Sequence, residues 1–327
     1  MEKIKAEQPK EQTKEKEPQL SFDFFYFVHQ YEKDFPQQKL KKKLKEADIF
    51  CPETAGWKKS LEGFLNMVSQ GKADKQKIEK FKQEAASTPE LTKKFLETLT
   101  GSSKIVKLID LPEEHPLYLK IKKAYNDLAN AYAFFLRGDK AAITLGREAI
   151  KKIAELQKAR EAYMQEQLIQ ELPGFIKKQP NLRNKKAVKI LVFLGALHTS
   201  LHHKLRRQGK NASLSFGQPL FLYDRLEGML IRKKIYHPDE ELRDTEIAEA
   251  FMERVLADYL SRFDKDTQKL ISVTSYIQKQ RPVSEEDLSK LKDTRAIAKF
   301  YADLLPRNKG DFNKLWRKAK HEFLPQN

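Results

Sequence analysis

The sequence has little of several features that define common protein classes. Cysteine occurs once, as Cys51, so the chain cannot form an internal disulfide, which fits a reducing compartment. No apolar run approaches the roughly 20 residues of a membrane span, and residues 1–18 lack the apolar segment of a signal peptide. Glycine-rich phosphate loops, zinc-ribbon cysteine pairs and serine nucleophile elbows are also missing. These absences predict a cytoplasmic protein without a membrane span.

The charge of the chain is strongly unbalanced. Its 63 Lys and Arg residues outnumber its 46 Asp and Glu residues, which gives a formal net charge of +17. Such an excess attracts nucleic acid or other anionic partners without any specific site. Most of the basic residues alternate with glutamate on the polar faces of amphipathic helices, where charges are commonly only solvated. The composition therefore predicts at most weak, nonspecific binding to nucleic acid.

The chain of 327 residues divides into three predicted regions. Residues 1–19 alternate Lys, Glu, Gln and Pro with almost no apolar content, which predicts a disordered tail. Residues 20–216 are predicted to form an α/β core domain, with a helical insertion around residues 57–100. Residues 217–327 show helical patterns and are expected to pack on that core. The predicted fold class is α/β, with a small mixed or mostly parallel sheet wrapped by many helices and a helical C-terminal portion.

The most informative stretch is a predicted buried strand that leads into a histidine. Residues 187–194 are almost continuously apolar, a pattern typical of a strand that is covered on both faces of a parallel sheet. Gly195 then permits a tight turn, and a helix is predicted from Leu201 to Gln208. His198 thus follows the carboxyl end of a strand, which is the edge where open α/β sheets bind ligands.

Other predicted strands end in similar groups. They are residues 20–28, followed by His29, residues 47–53, ending at Glu53, and residues 104–110, ending at Asp110. If these strands are parallel neighbours of the central strand, their ends converge on one edge of the sheet. Imidazoles and carboxylates are ligands that suit a divalent transition metal. The joint placement predicts a divalent metal ion held by His29, Glu53 and His198, although a single histidine after a strand is more often a core or loop residue.

Two further groups of residues leave alternatives open. Arg160 lies on a helix predicted over residues 139–172 that ends at Pro173 and Gly174. Its guanidinium is suited to bind an anionic group or to stabilise developing charge on a substrate oxygen, but spacing alone favours a surface charge. His202 and His203 are expected to be exposed in a basic segment. The aromatic run of residues 22–27 favours core packing over base stacking, because it is not interleaved with basic residues.

Short blocks of the sequence resemble the TraB/Tiki-like and erythromycin-esterase/ChaN-like superfamily. They are Ala159-Arg-Glu-Ala-Tyr-Met164, Gly195-Ala-Leu-His198, Tyr26-Phe-Val-His29 and Cys51-Pro-Glu53. The resemblance implies an α/β fold and, in the Tiki-like branch, metal-dependent hydrolysis of peptide bonds. Other branches include esterases and proteins that handle haem or iron.

The resemblance also implies roles for individual residues. His29, Glu53 and His198 would hold the metal ion, and the pair Arg160 and Glu161 would be catalytic. The expected function is a metal-dependent hydrolase of a peptide or ester bond in a small-molecule or peptide substrate. One position departs from the family pattern, because Tyr26 stands where the family has glycine. This departure supports an alternative, a catalytically inactive member that binds an anionic partner such as nucleic acid.

Overall fold

The computed structural model describes most of the first 254 residues. The described residues are 18–27, 35–84, 89–136, 139, 141–217, 226–244, 246–248, 250, 251 and 254. His29, nearly all of the predicted tail and the predicted helices beyond residue 254 lie outside them. None of the helices in these ranges combines the length and apolar character needed to cross a membrane.

A five-stranded sheet, parallel in every pairing, forms the centre of the described fold. The strands are β1 (Gln19–Phe27), β2 (Ile49–Pro52), β3 (Ile105–Val106), β4 (Ala187–Gly195) and β5 (Asn211–Phe216). Their order across the sheet is β3-β2-β4-β1-β5, so the predicted central strand β4 does occupy the centre. The predicted α/β class is confirmed, and the sheet, which was expected to be mixed or mostly parallel, is parallel in every described pairing. Because all strands run the same way, their carboxyl ends lie along one edge.

Helices cover both faces of this sheet. The described helices, including those that pack beside the sheet, are α1 (Gln37–Glu46), α2 (Leu61–Ser69), α3 (Lys75–Glu84), α4 (Pro89–Leu99), α5 (Pro116–Leu136), α6 (Ala141–Glu166), α7 (Leu172–Lys177), α8 (Thr199–Arg207) and α9 (Leu226–Tyr236). A π-helical turn, Gln167–Glu171, joins α6 to α7, and a 3₁₀ turn, Ala196–His198, joins β4 to α8. The predicted helical insertion around residues 57–100 corresponds to α2, α3 and α4.

The two faces of the sheet have separate apolar cores, because side chains alternate along a strand. Phe22, Phe24 and Tyr26 of β1 pack on one face with residues of α6, α7 and α8. Phe25 and Phe27 pack on the other face with residues of α1, α2 and α4. All five aromatic side chains are nearly or fully buried, as core packing predicts. A third core joins α5, α6 and α9 beside the sheet.

Three local expectations from the sequence are wrong. The helix predicted over residues 139–172 does not stop at Pro173. Proline is tolerated in the first turn of a helix, and α7 begins only one residue earlier, at Leu172. Strand β3 ends at Val106, so Asp110 lies beyond the strand and is not its last residue. His202, in the first turn of α8, is buried instead of exposed, because its ring packs edge-on against Phe24 of β1.

Candidate active site

Two of the predicted site residues meet at the carboxyl edge of the sheet. Glu53 directly follows β2, and His198 ends the 3₁₀ turn that follows β4. Strands β2 and β4 are hydrogen-bonded neighbours, so their ends lie side by side. The His198 Nε2 atom lies 3.5 Å from Glu53 Oε1, and the two side chains are 2% and 14% exposed. The parallel register thus brings together groups that are 145 positions apart in the sequence.

Arg160 joins two carboxylates at this edge. Its Nε donates to Asp110 Oδ1 over 2.8 Å, and its Nη2 donates to Asp110 Oδ2 over 2.5 Å. The same Nη2 also donates to Glu53 Oε1 over 2.7 Å. The guanidinium is 6% exposed, whereas the Asp110 side chain is fully buried. The fork of a guanidinium suits this two-oxygen contact, so Arg160 holds Asp110 and Glu53 in fixed positions.

Backbone amides hold the same two carboxylates. The amide of Gly195 donates to Glu53 Oε2 over 2.5 Å, and the amide of Thr54 donates to Asp110 Oδ2 over 3.1 Å. The amide of Leu111 donates to Asp110 Oδ1 over 2.8 Å. Gly195 has a φ of −64°, which any residue can adopt, so its contribution here is the amide and not a left-handed turn.

Glu161, the neighbour of Arg160 on α6, lies behind the imidazole of His198. Its Oε1 is 3.6 Å from His198 Nδ1, slightly longer than a hydrogen bond. Its Oε2 accepts hydrogen bonds from the Ser200 hydroxyl and, over 3.0 Å, from Lys204 Nζ. Burial raises the pKa of Glu161, but these contacts outweigh burial and hold its pKa below the ordinary value. Glu161 therefore carries a negative charge although its side chain is fully buried.

The two carboxylates control the protonation of His198. Burial and the nearby charge of Arg160 both lower the pKa of this imidazole. Glu161 on one side and Glu53 on the other raise the pKa more strongly, so that the net pKa lies above the ordinary value of 6.5. A histidine whose pKa lies near the working pH can both accept and return a proton.

Tyr26 supports the turn that carries His198. Its side chain is fully buried, and its hydroxyl donates to the backbone carbonyl of His198 over 2.9 Å. Burial raises the pKa of the Tyr26 phenol strongly, so the hydroxyl stays protonated and remains a donor. Tyr26 is thus a structural support for the histidine.

The substitution Tyr26→Phe tests this support. It removes one buried hydrogen bond and keeps the ring, so we expect the free energy of unfolding to fall by about 1 kcal/mol. The matched control is Tyr118→Phe, because no hydrogen bond of the Tyr118 hydroxyl is seen within the described ranges; it should change stability by less than about 0.5 kcal/mol. Urea denaturation measures the free energy of unfolding of both variants. Equal stability of the two variants would contradict the role of the Tyr26 hydroxyl as a support.

A cavity of about 710 Å³ opens onto the cluster. Its walls come from α5, α6 and α9, and its lining includes Glu53, Arg160 and His198 together with the turn from Gly195. Aromatic and aliphatic side chains make up most of the rest of the lining, among them Tyr118 and Tyr125 of α5. A volume of this size falls in the range of about 300–1,000 Å³ that is typical of sites for small molecules.

The structure brings together all the predicted site residues that it describes. Glu53, Asp110, Arg160, Glu161 and His198 form one connected cluster, whereas His29 lies outside the described residues. Sequence reasoning missed the contributions of four residues that contact this cluster, namely Tyr26, Gln157, Ser200 and Lys204. The helical spacing from Ser200 to Lys204 was visible in the sequence, but no sequence pattern indicates that this face meets Glu161.

The His198 and Glu53 side chains at this edge are better suited to exchange a proton than to bind a metal cation. The 3.5 Å between His198 Nε2 and Glu53 Oε1 is short enough for two ligands of one ion. The same Glu53 oxygen, however, is bound by the Arg160 guanidinium, whose positive charge disfavours a cation there. A metal ligand must also be a neutral imidazole, and the flanking carboxylates favour its protonated form. Within the described residues, no three His, Cys, Asp or Glu side chains are arranged to hold a metal.

Comparison of the chain with protein-family models, with curated proteins and with solved structures returned no match.

Proposed function

We propose that the cavity is the active site of a hydrolase that cleaves an ester or amide bond, with His198 as the group that transfers protons. The observation that supports this most directly is the position of His198 between two carboxylates, at a cavity large enough for a small molecule. Buried titratable groups with shifted pKa values, gathered in a cleft, are typical of catalytic sites. The carboxyl edge of a parallel sheet is also where ligands bind in such folds.

In the proposed reaction, Glu161 orients the imidazole and His198 Nε2 accepts a proton from a water molecule. The oxygen of that water attacks the carbonyl carbon of the substrate and forms a tetrahedral intermediate. His198 then returns the proton to the leaving oxygen or nitrogen as its bond to carbon breaks. The products are a carboxylic acid and an alcohol or amine, so atoms and charges balance.

Arg160 has a positioning role in this proposal. Its Nε and Nη2 are bound by carboxylates, and its Nη1 donates to Gln157 Oε1 over 3.4 Å. A guanidinium bound on three sides holds Glu53 and Asp110 in place and is a poor candidate for the oxyanion contact that the sequence suggested. Glu53 in turn lies beside the imidazole and stabilises its protonated form after the imidazole has taken a proton from the attacking water.

A substrate screen tests the proposal. The wild-type protein is incubated with 4-nitrophenyl esters of increasing chain length and with a library of internally quenched peptides, with and without EDTA. We expect hydrolysis of at least one ester or amide that EDTA does not reduce. Loss of activity in EDTA, with recovery on adding zinc, would instead support a metal held by His29, Glu53 and His198.

The screen also addresses the alternative of a binding module. If that alternative holds, no substrate is cleaved, and the protein binds fluorescein-labelled duplex DNA with an affinity that survives 0.3 M salt. Binding that rests only on the excess of basic residues would disappear as salt rises, because it depends on counterion release. Absence of hydrolysis together with salt-resistant binding would overturn the hydrolase proposal.

A further inference from the structure

Tyr125 lies on α5 and lines the same cavity as the His198 cluster. Its ring packs against the core of α5, α6 and α9, so the position of the side chain is fixed. A hydrogen bond of 3.3 Å joins the Tyr125 hydroxyl to Gln157 Nε2. Gln157 in turn contacts the Arg160 guanidinium. Tyr125 is thus connected to the charged cluster through a single buried amide.

The donor and acceptor of each hydrogen bond that links Tyr125, Gln157 and Arg160 follow from which atoms can donate. The guanidinium of Arg160 can only donate, so the atom of Gln157 that faces it must be the amide oxygen. The amide nitrogen of Gln157 then faces Tyr125, and this nitrogen can only donate as well. The Tyr125 oxygen must therefore act as an acceptor in its contact with Gln157.

This arrangement leaves the hydroxyl hydrogen of Tyr125 uncommitted. No acceptor for it is seen in the part of the chain that the structure describes. Burial and the nearby carboxylates of Glu227 and Glu53 raise the pKa of the Tyr125 phenol, so the hydrogen is retained at neutral pH. The hydroxyl is a donor at the wall of a cavity whose lining also includes His198.

We propose that the Tyr125 hydroxyl donates a hydrogen bond to the carbonyl oxygen of the substrate and to the oxyanion that forms from it. The inference rests on the proposed hydrolase. In it, the Tyr125 hydroxyl supplies the oxyanion contact, which Arg160 does not supply because its guanidinium is held by two carboxylates and the Gln157 amide. A donor aimed at the oxygen where charge develops stabilises the transition state more than the ground state. Gln157 keeps the donor available, because it occupies the Tyr125 oxygen as an acceptor.

The test compares Tyr125→Phe with Tyr118→Phe. Both substitutions remove a phenolic hydroxyl from the lining of the same cavity and keep the ring. The probes are 4-nitrophenyl acetate, for kcat/KM, and 4-nitrophenyl methylphosphonate, a stable tetrahedral anion whose Kd is measured by calorimetry. Removal of one oxyanion donor typically lowers the rate by about 10²–10³-fold. We expect a loss of that size in kcat/KM, and at least tenfold weaker phosphonate binding, for Tyr125→Phe alone.

The outcomes separate this inference from the proposed function. If the wild type hydrolyses the ester and the two variants behave alike, the role of Tyr125 is overturned and the hydrolase stands. If the wild type cleaves nothing but Tyr125→Phe still weakens phosphonate binding relative to Tyr118→Phe, the hydrolase fails and Tyr125 remains an oxygen-binding residue. If the wild type neither cleaves the ester nor binds the phosphonate, both are overturned.

Discussion

Replacement of Arg160 by methionine is expected to lower the free energy of unfolding by about 3–5 kcal/mol. Methionine keeps much of the apolar length of the side chain but leaves the Asp110 and Glu53 carboxylates without their shared partner. Asp110 is fully buried, so its charge cannot be solvated in the folded state. Small domains are stable by only about 5–15 kcal/mol, so the loss should be evident in urea denaturation at pH 7.

Two further variants make the Arg160 experiment specific. Adding Asp110→Asn to Arg160→Met removes one of the two carboxylate charges that have lost their partner. The loss of unfolding free energy in the double variant should therefore be smaller than the sum of the losses in the single variants. Lys152→Met is the control on the same helix, because its exposed pair with Glu155 is worth less than about 1 kcal/mol. A loss below about 1 kcal/mol for Arg160→Met would contradict the assigned role of the guanidinium.

The second large effect is expected for His198→Gln. Glutamine keeps polar atoms near Glu53 and Glu161 but cannot exchange a proton at neutral pH. General acid–base catalysis typically contributes about 10²–10⁴-fold, so kcat/KM for the ester should fall by at least 10²-fold. The control is His203→Gln, because His203 is an exposed histidine of α8, the helix that directly follows His198.

Far-ultraviolet circular dichroism should be unchanged in both histidine variants, which separates loss of chemistry from loss of fold. Retained activity in His198→Gln would place the chemistry elsewhere. A comparable loss in His203→Gln would also contradict the account, because that side chain lies outside the cluster.

The strands could be predicted because their signals are local. The apolar run of β4 and the aromatic run of β1 each predict a buried strand, and the predicted bounds of each strand lie within one residue of the observed bounds. The end of α6 could not be predicted, because the π-helical turn Gln167–Glu171 changes the hydrogen bonding just before Pro173. Pro173 lies in the first turn of α7, where proline is tolerated, so it does not mark a helix end.

The candidate site was predictable to the extent that it depends on strand ends. Glu53 and His198 follow β2 and β4, and parallel pairing is enough to bring them together. The connections made by Arg160 depend on how α6 is rotated against the sheet, which no local pattern shows. The same holds for Tyr125, whose interpretation depends on a chain of three side chains from two helices.

The pH dependence of kcat/KM for the wild type and for Glu161→Gln tests the central claim most directly. His198 must be neutral to accept a proton, so activity should fall as pH drops through its pKa, with a midpoint above 6.5. Glu161 helps to raise that pKa, so Glu161→Gln should move the midpoint to lower pH and also reduce the maximal rate. A wild-type midpoint at or below 6.5, or the same midpoint in both proteins, would contradict the claim that Glu161 positions a proton-transferring His198.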